Sequence, residues 1–80
     1  MELYHACTLK QLRAYLRSGC ILPPVRAWRD LDGATRFAKQ TDRRIIIRLT
    51  ALKGFRELGG HQGQAMVSDT PYPVTEDFLT

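Results

Sequence analysis

The sequence predicts an α+β domain in which a small antiparallel or mixed sheet packs with two helices. Three observations indicate this fold class. Two segments repeat apolar residues at helical spacing, several short segments have the composition of strands, and Gly or Pro residues separate many of them. The chain has 80 residues, which suffices for one domain with one small core. We therefore predict a single domain over residues 1–80.

Residues 2–7 predict a strand, which is followed at once by the most clearly defined helix. Thr8 and Gln11 form a capping box, because the threonine hydroxyl can accept from the glutamine amide while the glutamine side chain reaches back. Gly19 supplies the left-handed residue that ends the helix. Four apolar residues at helical spacing predict its buried stripe: Leu9, Leu12, Tyr15 and Leu16.

The middle of the chain predicts a bend, a strand, a helix and a second strand. The bend lies at Pro23–Pro24, and residues 25–28 form the extended segment that follows it. Asp30 or Asp32 caps the second helix. Residues 44–49 predict a strand whose three consecutive isoleucines indicate a central position, buried on both faces. The buried stripe of the second helix is predicted to be Leu31, Ala34, Phe37 and Ala38.

The last third of the chain carries a weaker pattern. Residues 50–63 contain four glycines and predict a loop, with one helical turn within residues 52–58. Residues 64–68 predict a strand, residues 69–73 a turn, and residues 74–79 a terminal strand or helical turn.

Composition argues against a membrane-spanning protein. The longest apolar runs have three residues, whereas about 20 are needed to cross a bilayer. The first residues lack the basic and apolar regions of a signal peptide. We therefore expect a small cytoplasmic domain that has no membrane partner.

Positive charge is concentrated in the middle of the chain. All twelve Lys and Arg residues lie between Lys10 and Arg56, where only three aspartates oppose them, so twelve minus three leaves an excess of nine. Such a segment favours an anionic partner, either nucleic acid or an acidic protein surface, although a solvated surface that serves solubility is the alternative. Since Trp and Arg are frequent in binding hot spots, we take these as candidate binding residues: Lys10, Arg13, Arg17, Arg26, Trp28, Arg29 and Arg36.

The cysteines and histidines predict no metal site. Cys7 and Cys20 are expected to be reduced thiols in a cytoplasmic protein, and a redox or linking role for either stays open. Together with His5 and His61 they match no familiar zinc spacing.

The chain resembles small ADP-ribosyltransferase-like proteins. The resemblance begins with Leu3-Tyr4-His5, continues through the capped helix that ends at Ser18-Gly19, and extends to Ile21-Leu22-Pro23-Pro24. Later segments follow the family in the same order, and Tyr4-His5 is the sharpest motif. The resemblance implies a reduced ADP-ribosyltransferase-like fold.

The same resemblance implies roles for two positions. His5 stands where the family's histidine holds the nicotinamide ribose of NAD, so it is the cofactor-binding residue if the chain is an NAD-dependent ADP-ribosyltransferase. The family's catalytic glutamate corresponds to residues 60–65, which contain no carboxylate. Because a developing cation needs a negative charge beside it, we expect no catalytic residue and a non-enzymatic scaffold.

In size and character the chain also resembles anti-CRISPR proteins of phages and mobile elements. This resemblance implies an inhibitor, without a cofactor, that binds a type I-C CRISPR surveillance complex of the host cell and blocks its binding of target DNA. Two alternatives from other classes stay open: an NAD-dependent ADP-ribosyltransferase and a plain nucleic-acid-binding domain. A homodimer is also left open.

Overall fold

The computed structural model describes residues 2–50, 53–59 and 64–74, and within them it contains two helices and seven strands. In chain order these are β1 (Leu3–Cys7), α1 (Leu9–Ser18), β2 (Cys20–Ile21), β3 (Val25–Trp28), α2 (Leu31–Gln40), β4 (Ile45–Leu49), β5 (Phe55–Glu57), β6 (Ala65–Ser68) and β7 (Tyr72–Pro73). The predicted α+β fold class is confirmed.

Five of the strands form the main sheet, in the order β4-β1-β3-β6-β5. Each neighbouring pair is antiparallel. Because β1 lies between β3 and β4, those two strands run parallel to each other, and α2 connects them while contacting all three. The remaining strands, β2 and β7, form a separate antiparallel pair.

The two faces of the main sheet have different coverings. Alternation places Leu3 and Cys7 on one face of β1 and Tyr4 on the other. Trp28 pairs with Tyr4 across the strands and contacts Phe37 of α2, so α2 covers the Tyr4 face. The Leu3 face holds the main core, which β2, β7 and part of α1 cover. Its buried members are Leu3, Cys7, Ile21, Val25, Ala27, Ile47, Leu49, Met66 and Tyr72.

The predicted caps of α1 are confirmed. The Thr8 hydroxyl accepts from the Gln11 amide at 3.1 Å, and the Gln11 side-chain oxygen accepts from the Thr8 amide at 2.9 Å. At the other end Gly19 has φ 80°, in the left-handed region that favours glycine. These bonds satisfy main-chain groups that a helix end otherwise leaves without partners.

The predicted buried stripes are wrong at three leucines. Leu9 is 52% exposed, Leu16 is 41% exposed and Leu31 is 50% exposed. No residue of α1 is buried, and only Leu12 and Tyr15 pack against the core from that helix. The physical reason is that α1 lies at the margin of the main core, so the predicted stripe is wider than the surface that covers it.

The predicted central position of residues 44–49 is also wrong. Strand β4 lies at the end of the sheet order, next to β1 alone among the described strands. Burial of its isoleucines is also less complete than predicted, because Ile47 belongs to the core whereas Ile45 and Ile46 are half-buried. Burial of the two faces of a strand and pairing of its two edges are independent properties. A run of isoleucines indicates face burial and carries no information about edge pairing.

The predicted loop over residues 50–63 contains a strand. Residues 55–57 form β5 and pair with β6, although a helical turn was predicted there. The predicted turn over residues 69–73 likewise ends in β7, whose Tyr72 is 7% exposed and pairs with Ile21. The prediction for residues 74–79 falls almost entirely outside the described residues.

Candidate functional site

A cavity of about 320 Å³ lies beside β1 and α1, and we call it the His5 cavity. Its lining combines a histidine, a tyrosine, two arginines and two further aromatic rings. The lining side chains that matter below are His5, Tyr15, Arg26, Trp28, Phe37 and Arg43. The described residues of the lining include no Asp or Glu.

His5 connects three elements of the fold. Its Nδ1 lies 2.6 Å from the main-chain oxygen of Arg26 on β3, and its Nε2 lies 3.1 Å from the hydroxyl of Tyr15 on α1. A carbonyl oxygen can only accept, so Nδ1 carries the hydrogen and Nε2 accepts from the tyrosine hydroxyl. Both ring nitrogens are therefore engaged, and as arranged the ring joins β1 to β3 and α1.

The surroundings of His5 favour its neutral form. Burial lowers the pKa of His5, and the positive charge of Arg43 acts in the same direction, while the bond to the Arg26 carbonyl partly opposes them. A neutral imidazole is the form that can donate from Nδ1 and accept at Nε2 at once. The charge state and the hydrogen bonds thus agree.

The thiols do not form a reactive site beside His5. Cys7 is fully buried in the core, and burial raises its pKa to about 11. A thiol with a raised pKa is a weak nucleophile near neutral pH. Cys20 is partly exposed, and both cysteines are free. Cys7 therefore packs in the core as a small apolar side chain.

Two carboxylates that could have assisted chemistry at His5, Glu57 and Asp69, are each paired with an arginine. Glu57 is on β5, which is separated from β1 by β3 and β6, about 14 Å at the usual strand spacing. Its Oε1 accepts from the Arg29 guanidinium at 2.7 Å, and Asp69 accepts from Arg56 at 3.2 Å. Residues 60–63 and Glu76 lie outside the described residues.

A second cavity, of about 420 Å³, lies between α2 and the strands β3 and β6; we call it the Trp28 groove. It shares Arg26, Trp28 and Phe37 with the His5 cavity and adds Arg36. The Trp28 and Phe37 rings lie 5.9 Å apart between centroids, and the Arg43 guanidinium lies 5.3 Å from the centroid of Phe37. Because Arg26 and Arg36 line it, the groove combines positive charge with aromatic surface.

Gly33 allows α2 to approach Trp28 closely. A Cβ at this position would lie 2.5 Å from Asp30 Oδ1 and 3.0 Å from a Trp28 ring carbon. Asp30 caps α2 by accepting from the Gly33 amide at 3.0 Å, so a displaced carboxylate would lose this bond.

We expect Gly33→Ala to lower the free energy of unfolding by about 1 kcal/mol, although alanine is the better helix former by about the same amount. Loss of the cap and displacement of Trp28 together exceed the gain in propensity. Urea denaturation followed by circular dichroism measures the effect. Gly59→Ala is the control, because no atom of the described residues lies within 4 Å of a Cβ there. A more stable Gly33→Ala variant would show that the neighbours yield without cost.

The predicted binding residues divide between two places. Arg26, Trp28 and Arg36 meet at the Trp28 groove, whereas the basic residues of α1 line neither cavity. Arg29 is engaged by Glu57. The basic α1 residues are all exposed: Lys10, Arg13 and Arg17.

Three residues of the His5 cavity were not recognised as site residues from the sequence. Tyr15 and Phe37 were assigned only to the helix stripes, and Arg43 was counted only among the basic residues in the middle of the chain. Helical spacing predicted Phe37 as part of a buried apolar stripe. Its contact with Trp28, however, joins a helix to a strand residue nine positions earlier in the chain. No local signal reports such a contact.

Neither a metal-binding cluster nor a membrane-spanning helix occurs within the described ranges. No group of three or more His, Cys, Asp or Glu residues within them could hold a metal ion. His61, which belonged to the weighed zinc combination, lies outside these ranges. Neither helix has the length and apolar character that crossing a bilayer requires.

Comparison of the sequence with models of known protein families finds no match, and comparisons with curated proteins and with solved structures find none either. The resemblances to ADP-ribosyltransferase-like and anti-CRISPR proteins therefore stay predictions.

Proposed function

We propose that this chain is a non-enzymatic binding protein that attaches to an acidic surface of another protein or protein–RNA complex through α1. The surface consists of two leucines and three basic residues, and we call it the α1 face: Leu9, Lys10, Arg13, Leu16 and Arg17. At about 100° per residue, these five side chains span roughly one third of the helix circumference.

The observation that carries this proposal is the exposure of the α1 face. Leu9 and Leu16 are 52% and 41% exposed, and no residue of α1 is buried. Partly exposed leucines beside basic side chains gain burial when a partner covers them. Helix α1 contains no Asp or Glu, so its charge is uniformly positive. A partner must therefore present acidic side chains around an apolar patch.

A second copy of the chain fits the α1 face poorly. A twofold contact would bring each α1 against its own copy, and three positive charges would then face three others. Like charges placed across an interface cost free energy. An acidic partner removes this cost, and it also favours fast association through long-range attraction.

The resemblance to anti-CRISPR proteins suggests the partner to test first. A type I-C CRISPR surveillance complex of the host cell is the implied target, and occlusion of its binding site for target DNA is the implied effect. In this proposal the α1 face docks on an acidic patch of the complex, and no cofactor takes part.

The test is binding to the purified type I-C complex, measured by biolayer interferometry and by the complex's binding of target DNA. We expect the wild-type chain to bind and to block DNA. Arg13→Glu/Arg17→Glu is expected to weaken binding at least 100-fold, since each reversal replaces an attraction by a repulsion. The control is Arg44→Glu/Lys53→Glu, which reverses two exposed charges outside the α1 face.

Each outcome bears on a different part of the proposal. No binding by the wild-type chain rejects the complex as partner. Binding that survives the Arg13→Glu/Arg17→Glu change rejects the α1 face. Tight binding to duplex DNA alone, falling steeply as salt is added, favours the nucleic-acid-binding alternative instead. Binding to vesicles of anionic lipid would replace the protein partner by a membrane surface.

One observation favours the NAD-dependent ADP-ribosyltransferase as a second candidate. His5 lines a cavity together with Arg26 and Arg43, and arginines suit the phosphates of a dinucleotide. Calorimetric titration with NAD tests this candidate. Saturable heat that is lost in His5→Ala, together with release of nicotinamide, supports it; absence of heat at high NAD concentration rejects it.

A further inference from the structure

The Trp28 groove has the size of a small-molecule site. Its volume of about 420 Å³ falls within the roughly 300–1,000 Å³ of typical ligand pockets. One wall comes from α2, through Gly33, Arg36 and Phe37, and the other comes from β3 and β6. A molecule that enters between these walls contacts three secondary-structure elements, which restricts its orientation.

The charge of the groove selects an anion. Arg26 and Arg36 line it, and both are exposed. The ion pairs within the described residues involve Arg29, Arg48 and Arg56, so these two guanidinium groups are not engaged by carboxylates there. No Asp or Glu is among the described lining residues. A guanidinium matches the oxygens of a phosphate with two parallel hydrogen bonds.

The aromatic part of the groove selects a flat ring. Trp28 and Phe37 both line it, with their rings 5.9 Å apart and tilted by 43°. A nucleobase packs well against such rings, and stacking tolerates any base because each has an aromatic face. A small anion without a ring would not contact the aromatic surface of Trp28 and Phe37 in this way.

We propose that the Trp28 groove binds a nucleoside monophosphate unit, with its base against Trp28 and Phe37 and its phosphate at Arg26 and Arg36. The unit is supplied either by a free mononucleotide or by one nucleotide of a single strand. This site is separate from the α1 face and does not depend on the function proposed above.

Trp28 itself provides the probe, because it is the only tryptophan of the chain. We expect titration with adenosine 5′-monophosphate to change its emission in a saturable way, with calorimetry as the second readout. Adenosine without the phosphate, and inorganic phosphate without the base, should each bind at least about tenfold more weakly.

The variants separate the groove from general electrostatic attraction. Arg26→Gln and Arg36→Gln are each expected to weaken binding about tenfold or more. Arg44→Gln is the matched control, because this exposed arginine lines neither the groove nor the His5 cavity. Circular dichroism of each variant verifies that it is folded. Equal losses in all three variants would overturn the proposal.

The source of the nucleotide is decided by a further arm of the same experiment. Oligoadenylate that binds at least tenfold more tightly than the mononucleotide indicates a single strand, whereas equal affinity per site indicates a free nucleotide. The absence of a saturable signal with either probe at roughly 10 mM, beyond the weak end of specific binding, overturns the proposal.

Discussion

Leu49→Ala is expected to lower the free energy of unfolding by about 2–5 kcal/mol, the range for removing a large aliphatic side chain from a packed core. Leu49 is fully buried and pairs across the strands with Leu3, which is 1% exposed. The substitution removes apolar burial and leaves a cavity that the sheet cannot close, because the main-chain pairing of β1 and β4 holds the strands in place.

The expected loss is large compared with the total stability of a domain of this size. Domains are stable by roughly 0.05–0.15 kcal/mol per residue, which for 80 residues gives about 4–12 kcal/mol in all. Urea denaturation at 25 °C, followed by circular dichroism, measures the change. A fall in the midpoint without a change in slope would show that stability, and not compactness, has altered.

Leu31→Ala provides the matched control, because it removes the same atoms from a site that is 50% exposed. We expect it to cost less than about 1 kcal/mol, since half of the side chain already contacts water. Equal losses in the two variants would contradict the core described above.

Acidification from pH 7 to pH 5 is expected to lower the free energy of unfolding through His5. Burial holds the pKa of His5 in the folded state below its value in the unfolded chain, which is about 6.5. Below that value the unfolded chain binds a proton that the folded state resists, so the unfolded state gains stability as the pH falls. Above it neither state is protonated at His5, and this contribution is constant.

One histidine limits the slope to about 1.4 kcal/mol per pH unit. Two of the groups that face His5 oppose a second hydrogen on its ring, because Arg43 is positive and the Tyr15 hydroxyl already donates to Nε2. The Arg26 carbonyl acts in the other direction and raises the pKa in part. Denaturation curves measured at half-unit pH intervals show the slope directly.

His5→Gln is the comparison for this prediction. It removes the titrating ring, so we expect a flatter dependence of stability on pH between 7 and 5 than in the wild-type chain. His61 is present in both chains, and its contribution cancels in the difference. Identical slopes in both chains would show that the environment of His5 does not disfavour its charged form.

Local features of the fold could be predicted from the sequence where neighbouring residues determine them. The capping box of Thr8 and Gln11 and the left-handed Gly19 involve contacts within a few positions. The strand β5 was missed because its three residues form a strand only through pairing with β6. Such pairing depends on residues that are distant along the chain.

The candidate site residues show the same difference between what residue type indicates and what contacts between distant residues decide. Arg26, Trp28 and Arg36 were selected by residue type alone, and the structure brings them together in one groove. Selection by type could not separate them from Arg29, which is engaged by Glu57 on another strand. Tyr15, Phe37 and Arg43 were missed because they contribute through contacts across elements.

The amino-acid sequence alone determined the fold class, the boundaries of α1 and the concentration of positive charge, because these depend on composition and on spacing along the chain. The tertiary structure decided the edge position of β4, the exposure of the α1 face and the meeting of Trp28 with Phe37. The physical reason is that strand order and helix placement are set by which distant apolar surfaces cover one another, and periodicity identifies an apolar face without identifying what it packs against.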